Sequence, residues 1–329
     1  MSSIGIPSVS EELEKDLTSG MVRVEELLYS HIQGKYPLVA ETSRHLVAAG
    51  GKRLRPLLTL ITSHLGDPGK SGIVEAAVVC ELTHLATLYH DDVMDEALLR
   101  RGVESANSKW GNSIAILTGD YLFAKASDLL ADLGTEAVRL QARTFERLVI
   151  GQIMETQGPE GGQDPLEHYL QVVADKTGSL ISTSARYGAL LSGARSEIVE
   201  TVTAFGEQIG VAFQLADDVI DIASSSEDSG KTPGTDLREG VPTLVTLNVL
   251  KSNNPADRDL QELLRGPIDS EVVVAQVLEA LRTHPALDDS RAQLLQVAQK
   301  ARLALGPLPI CDATAALFSL CETVIERSH

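Results

Sequence analysis

The chain has 329 residues and a formal net charge of −18, with 46 Asp and Glu against 28 Lys and Arg. That balance argues against a nucleic-acid partner, because a phosphate backbone needs a basic face. It leaves room for small phosphorylated ligands, which need only a local cluster of cations or metal ions held by acids. Hydrophobic residues make up 43% and aromatics only 4%, so aliphatic side chains must fill the core, and helices are favoured over strands.

The first residues, MSSIGIPSVSEELEKDL, are acidic and lack the basic start and apolar core of a signal peptide. No apolar run reaches the roughly 18 residues of a membrane span. The expectation is a soluble, cytoplasmic protein. Cys80, Cys311 and Cys321 sit in apolar surroundings without metal-ligand spacing and read as buried, reduced thiols.

From Val74 to Leu88, Ala77, Val78, Glu81, Leu82, Leu85 and Leu88 recur at three- and four-residue steps, which predicts a helix. The same period predicts helices over 114–130, 137–154, 165–173 and 198–222, with further helices from Thr243, Leu260, Val272, Ser290 and Asp312. No stretch shows sustained strand alternation. Segments 66–72, 157–165 and 224–234 are rich in Gly, Pro, Ser and Asp and read as loops, none long enough for a flexible linker. The pattern implies an all-α fold in a single domain over 1–329.

The helix over 74–88 runs into HDDVMDEALLRRG, which carries Asp91, Asp92 and Asp95. At FQLADDVID the spacing D-D-x-x-D returns as Asp217, Asp218 and Asp221. In a helix the first and last aspartates of each motif share a face. Like charges there repel, and the negative helix end adds to the cost. Hard divalent cations such as Mg2+ with oxygen ligands offset it. One such motif is commonly a solvated helix face; two, each ending an apolar helix, weigh against that reading. Cations stand at Lys52, Arg53 and Arg55 in GGKRLRP, at Arg100 and Arg101, at Lys176 and at Lys231. Any one cluster is ordinary surface charge. Together they suggest two acidic metal platforms facing each other, rimmed by cations that hold diphosphates.

These blocks resemble the trans-prenyl diphosphate synthases of the polyprenyl synthetase family. GGKRLRP, HDDVMDEALLRRG, GDYLFA, KTGSL, FQLADDVID and GKTPGTDLREG occur in family order, from about Gly34 to the end of the chain, leaving 1–33 as an N-terminal helical extension. The resemblance implies an all-α bundle around a deep central cavity, in a homodimer. It implies that Asp91, Asp95 and Asp217 ligate three Mg2+ ions on an allylic diphosphate, supported by Asp92, Asp218 and Asp221. Arg100, Lys176 and Lys231 would contact that diphosphate, and Lys52, Arg55, His84 and Arg101 would bind isopentenyl diphosphate. Taken alone, His84 reads as a satisfied polar residue on a helix. Gln214 and Thr177 would neighbour the reacting carbons, with a helix kink at Thr177-Gly178. The implied reaction ionises the allylic C–O bond, and the isopentenyl double bond attacks the cation. Loss of a proton follows. Metal and Arg/Lys stabilisation of the leaving group is the main catalytic term, and an apolar wall excludes water. One departure from the family pattern is Val241, where a lysine commonly follows the glycine.

In this family, bulk four or five residues before the first motif stops chain growth. Here those positions are Thr87 and Ala86, followed a turn further by Thr83, and no aromatic follows on that face for about three turns, or roughly 15 Å. A C30–C50 product for a quinone side chain is expected. The alternative is a C20 product, with Tyr121, Phe123 or Phe145 as floor. A terpene cyclase would share the fold but not the second aspartate motif or GGKRLRP. A non-catalytic subunit of a two-chain synthase would tend to lose motif residues. Transient membrane contact at product release is compatible with a long, insoluble product, though no amphipathic anchor announces it.

Overall fold

A computed structural model describes residues 10–223 and 233–326. Lys231 lies outside the described residues. The described chain is helical: α1 Glu11–His31, α2 Pro37–Ala48, α3 Leu54–Ser63, α4 Ile73–Met94, α5 Ala106–Trp110, α6 Asn112–Leu133, α7 Thr135–Gln157, α8 Pro165–Val173, α9 Ser179–Leu191 and α10 Ser196–Ala223. After the second motif come α11 Thr235–Glu239, α12 Leu244–Leu250, α13 Arg258–Leu263, α14 Glu271–Thr283, α15 Pro285–Ala304 and α16 Asp312–Glu326.

Local chemistry starts several of these helices. Ser10 caps α1 by accepting the Leu13 N–H at 3.3 Å. Asp164 caps α8 by accepting the Leu166 N–H at 2.8 Å, with Pro165 as the first helical residue, where its missing N–H costs nothing. Thr243 and Thr246 exchange backbone and side-chain bonds at the start of α12. The helix expected from Ser290 begins earlier, at Pro285, for the same reason: proline suits the first turn.

The all-α expectation has one local exception. Leu99–Arg100 and Val103–Glu104 form β1 and β2, a two-stranded antiparallel ribbon. Its turn places Arg101 at φ 53° and Gly102 at φ 76°, the left-handed pair that a two-residue hairpin requires. Strands of two residues are too short to show alternation, so the sequence pattern misses them.

By contact the chain forms two compact units. Unit one comprises Met1–Glu146, Leu180–Gly206 and Ala304–Ser319. Its central helix is α4, where Val78, Val79, Leu82, Leu85, Ala86 and Tyr89 are fully buried. A helix buried on nearly every face needs apolar residues all round, which explains why α4 carries so few charges. Each fully buried leucine there contributes about 1.5–3 kcal/mol. Two glycines allow close approaches between helices. A Cβ on Gly119 of α6 would lie 3.1 Å from the Ala86 carbonyl and 2.3 Å from His90 Nε2. A Cβ on Gly188 of α9 would lie 2.0 Å from the Thr59 carbonyl of α3. Tyr89 is fully buried, and its hydroxyl donates to the Thr42 carbonyl of α2.

Unit two comprises Arg147–Ser179, Glu207–Leu303 and Leu320–His329. Val219 and Ile222 of α10 pack with Val245 and Val249 of α12 and with Val274, Val277, Leu278 and Leu281 of α14. The three cysteines are unpaired thiols. Cys80 and Cys321 are buried as expected, but Cys311 is exposed, because it precedes α16 in the turn that starts that helix. Among the described residues, no helix is long and apolar enough to cross a membrane.

Candidate active site

In unit one, α4 ends at the first aspartate motif, and the Asp95 N–H closes the last turn on the Asp91 carbonyl at 2.8 Å. Asp91 is half-buried, Asp92 is fully buried and Asp95 is exposed. Arg100 of β1 reaches back, with its Nε 2.5 Å from Asp92 Oδ1 and its Nη2 3.8 Å from Asp95 Oδ2. Burial pushes the Asp92 carboxyl up, and Arg100 opposes the shift. Asp92 Oδ2 is buried with no hydrogen-bond partner. The motif therefore presents an all-oxygen donor set at a negative helix end, with one buried oxygen still available. That chemistry fits a hard divalent cation. Among the described residues, no three His, Cys, Asp or Glu side chains already converge as metal ligands.

Arg53, Arg55 and Arg101 gather around the buried Glu81. Arg53 donates from Nη1 to Glu81 Oε1 at 2.9 Å, from Nε to Glu25 Oε1 at 2.6 Å and from Nη2 to the Val47 carbonyl at 3.2 Å. Arg101 bonds the Leu46 carbonyl at 2.9 Å and the Gly50 carbonyl, and its Nη2 lies 3.9 Å from Glu81. The double glycine of GGKRLRP explains this: a Cβ on Gly51 would lie 3.1 Å from the Arg101 guanidinium. Arg55 Nε is buried without a partner, and burial, reinforced by Arg101, lowers that guanidinium's pKa. Lys52 is exposed.

His84 sits among these guanidiniums. Burial, then Arg55, Arg101, Arg100 and Arg53, hold its pKa well below the ordinary histidine value. The sign of the linkage follows. Below about pH 6.5 the unfolded chain protonates this histidine and the folded chain resists, so stability falls as pH drops through 6.5. Urea midpoints at pH 7.5 and 5.5 check this: wild type should lose more stability across that interval than His84→Gln.

In unit two the second motif lies on α10. Asp218 is buried and fully engaged: Gln214 Nε2 donates to Oδ1 at 3.1 Å, and the Leu244 N–H (3.3 Å) and the Tyr169 hydroxyl donate to Oδ2. Burial pushes its pKa to about 6. Asp217 and Asp221 are half-buried. The kink expected at Thr177-Gly178 is a single π-helical turn over Ala174–Gly178, closed by the Ser179 N–H on the Ala174 carbonyl. Such turns recur at functional sites because they re-aim side chains. Lys176 pairs with Glu155 Oε2, and the Thr177 hydroxyl donates to Gln214 Oε1 at 3.3 Å.

Arg147 is the residue that motif reading missed. Its Nε bonds Asp175 Oδ1 at 2.8 Å and its Nη1 bonds Glu207 Oε1 at 2.5 Å, which ties the π turn to α7 and α10. Gly151 lets α7 close on the same turn, since a Cβ there would lie 3.0 Å from the Lys176 nitrogen. Arg147 lies in no motif and carried no sequence signal. Glu81 did carry one: it is a carboxylate inside the apolar stripe of α4. Val241 is half-buried, and its N–H bonds the Asp236 carbonyl at 2.9 Å.

On α4, Ala86 is fully buried where Gly119 approaches, and Thr87 is half-buried with its hydroxyl on the His84 carbonyl at 2.8 Å. Thr83 is fully buried and accepts Gln141 Nε2 at 2.7 Å. Of the expected floor residues, Phe123 and Phe145 stack edge-on at 4.5 Å between centroids. Tyr121 is half-buried, with Lys125 Nζ 5.5 Å from its ring centroid.

Comparison with known proteins agrees with this chemistry. The sequence pattern of the polyprenyl synthetase family matches residues 36–281. A nonaprenyl diphosphate synthase of Mycobacterium tuberculosis is 46% identical over 310 residues, covering 94% of this chain and 92% of that protein. A dimethylallyltranstransferase of the same organism is 40% identical over 324 residues, covering 97% and 98%. The crystal structure of a geranylgeranyl pyrophosphate synthase from Corynebacterium glutamicum, complexed with calcium and isoprenyl diphosphate, matches with a TM-score of 0.86 at 42% identity, covering 97% of this chain and 98% of that one. The chain belongs to the polyprenyl synthetase family and is an all-α prenyltransferase.

Proposed function

We propose that the protein condenses isopentenyl diphosphate with an allylic diphosphate (geranyl, farnesyl or geranylgeranyl) and releases an all-trans C30–C50 polyprenyl diphosphate. The observation that carries this reading is the gathering of Arg55, Arg100, Arg101 and His84 near the end of α4, where Arg100 pairs with Asp92 and Asp95. Asp91 and Asp95 of the first motif and Asp217 of the second would ligate three Mg2+ ions, supported by Asp92, Asp218 and Asp221. Bound there, the ions would neutralise the allylic diphosphate as the C–O bond breaks. Arg100, Lys176 and Lys231 would orient that diphosphate. Lys52, Arg55, His84 and Arg101 would hold the isopentenyl diphosphate, with His84 serving as a neutral hydrogen-bonding group. Thr177 and Gln214, linked to each other, would line the path of the cation. Buried aliphatic side chains of α4 would keep water from it.

The long product is supported by the small side chains at Thr87, Ala86 and Thr83, and by the similarity to the nonaprenyl synthase. A homodimer is supported by the exposed apolar side chains Ile116, Leu117, Val138 and Phe145 of α6 and α7, which a second copy would cover. A cytoplasmic setting, with transient membrane contact for product release, completes the reading.

The test is incubation of purified protein with labelled isopentenyl diphosphate, farnesyl diphosphate and Mg2+, followed by chromatography of the dephosphorylated products. A ladder ending at C30 or beyond is expected. A stop at C20 would overturn the length assignment, and no elongation from any primer would overturn the activity. Thr87→Phe should shorten the ladder, as should Ala86→Phe. Thr87 is the better probe because it is half-buried, whereas Ala86 abuts α6.

A further inference from the structure

The interior of unit one holds a polar bridge that the scheme above leaves unused. Gln141, on the inner face of α7, is 8% exposed, and its Nε2 donates to Thr83 Oγ1 at 2.7 Å. The direction of this bond is fixed. The Thr83 hydroxyl already donates to the Val79 carbonyl at 2.8 Å, so it accepts from the amide. Gln141 Oε1 is therefore turned elsewhere in the interior, where it is buried with no hydrogen-bond partner.

A buried amide oxygen without a partner costs more than a typical hydrogen bond returns. A leucine would fill similar space at no such cost. The neighbouring polar pair shows the contrast. One turn along α7, the Thr144 hydroxyl donates to the Leu140 carbonyl at 2.9 Å and meets the Thr183 hydroxyl at 2.6 Å, so that pair is satisfied. Gln141, by contrast, presents an open acceptor to the interior.

Its position gives that acceptor a use. Thr83, Thr87 and Asp91 follow one another at four-residue steps and share one face of α4. Thr83 lies about 12 Å along the axis from Asp91, at 1.5 Å per residue. An apolar chain growing along this face from the first motif meets a tethered amide at that depth. It must break the Thr83 bond to pass, or stop against a polar group.

We propose that Gln141 is a specificity-determining residue of chain elongation: its amide, tied to Thr83, forms a gate on the α4 face below Thr87. The proposal rests on the reading of the Thr87 face as the elongation wall. Removing the gate should lengthen the product, and removing only its tether should do the same more weakly.

The experiment compares product distributions of wild type, Gln141→Ala, Thr83→Val and Thr87→Phe, with labelled isopentenyl diphosphate, farnesyl diphosphate and Mg2+. Circular dichroism confirms that each variant is folded. The readout is the ratio of products longer than the wild-type maximum to those at it. That ratio is independent of overall turnover. It should rise about tenfold in Gln141→Ala and roughly threefold in Thr83→Val, as expected for loss of a barrier of hydrogen-bond size. If Thr87→Phe shortens the product while Gln141→Ala and Thr83→Val leave the ratio unchanged, the gate is refuted and the elongation wall stands. If Thr87→Phe also changes nothing, the wall itself is misplaced and the gate falls with it.

Discussion

Asp91→Asn and Asp217→Asn should each lower kcat by about 10³-fold or more while leaving the thermal midpoint within about 2 °C of wild type. The reasoning is electrostatic. Departure of a diphosphate from an allylic carbon concentrates negative charge that only cations at the leaving group can stabilise. Asparagine keeps the shape of aspartate but loses the charge that holds a divalent ion. Both residues are half-buried, so the exchange disturbs little packing. Asp218→Asn should behave differently. Asp218 accepts from Gln214, Leu244 and Tyr169, and so holds the start of α12 against α10. An amide there turns a donor toward one of these donors, which should cost about 1–3 kcal/mol of stability. Labelled-product assays at rising Mg2+, with urea melts of each variant, separate the two classes. Activity within tenfold of wild type in Asp91→Asn or Asp217→Asn would remove those residues from metal binding.

The helices and the aspartate motifs were legible in the sequence because each rests on short-range repetition. A 3.6-residue apolar period runs along α4, α6, α7 and α10, and D-D-x-x-D sits at a helix end. What was not legible depends on which distant group a side chain meets. Nothing in GGKRLRP says that Arg53 turns to Glu25 and Glu81 while Arg55 keeps a buried nitrogen without a partner. Nothing near Arg147 marks it as the clamp on the π turn. That role exists only because the fold brings Asp175 and Glu207 to it. The hairpin at Arg101-Gly102 was hidden by its length, and the Gln141 bridge because one glutamine in an amphipathic helix reads as solvated. Glu81 marks the boundary between the two cases. A carboxylate on the buried stripe of α4 demands a cation, and the sequence states the demand without saying which residue meets it.

Arg53→Met should cost about 3–5 kcal/mol of stability, the largest folding penalty expected from any one residue of GGKRLRP. The Arg53 side chain is 8% exposed and that of Glu81 is 2% exposed, so removing the cation strands a buried carboxylate. Arg101, 3.9 Å from Glu81, is too far to replace the 2.9 Å bond that Arg53 makes. The backbone adds to the argument. Arg53 sits at φ 48°, a left-handed conformation that costs a non-glycine residue about 1–3 kcal/mol and persists only where side-chain bonds enforce it. Here Glu25, Glu81 and the Val47 carbonyl do so. Removing Glu81 as well should recover most of the loss, because a buried ion pair replaced by apolar groups of similar size is close to neutral. Urea denaturation of Arg53→Met, Glu81→Leu and the double variant closes the cycle. Additive losses would show that the two side chains do not depend on each other. Lys52→Ala is the control from the same motif. Lys52 is exposed, so its loss should change stability by less than about 0.5 kcal/mol and show itself instead as a raised KM for isopentenyl diphosphate. Adjacent cations in one motif thus serve opposite ends, one anchoring the scaffold and the other meeting the substrate, and the difference follows from burial: Arg53 is buried against Glu81, whereas Lys52 is exposed.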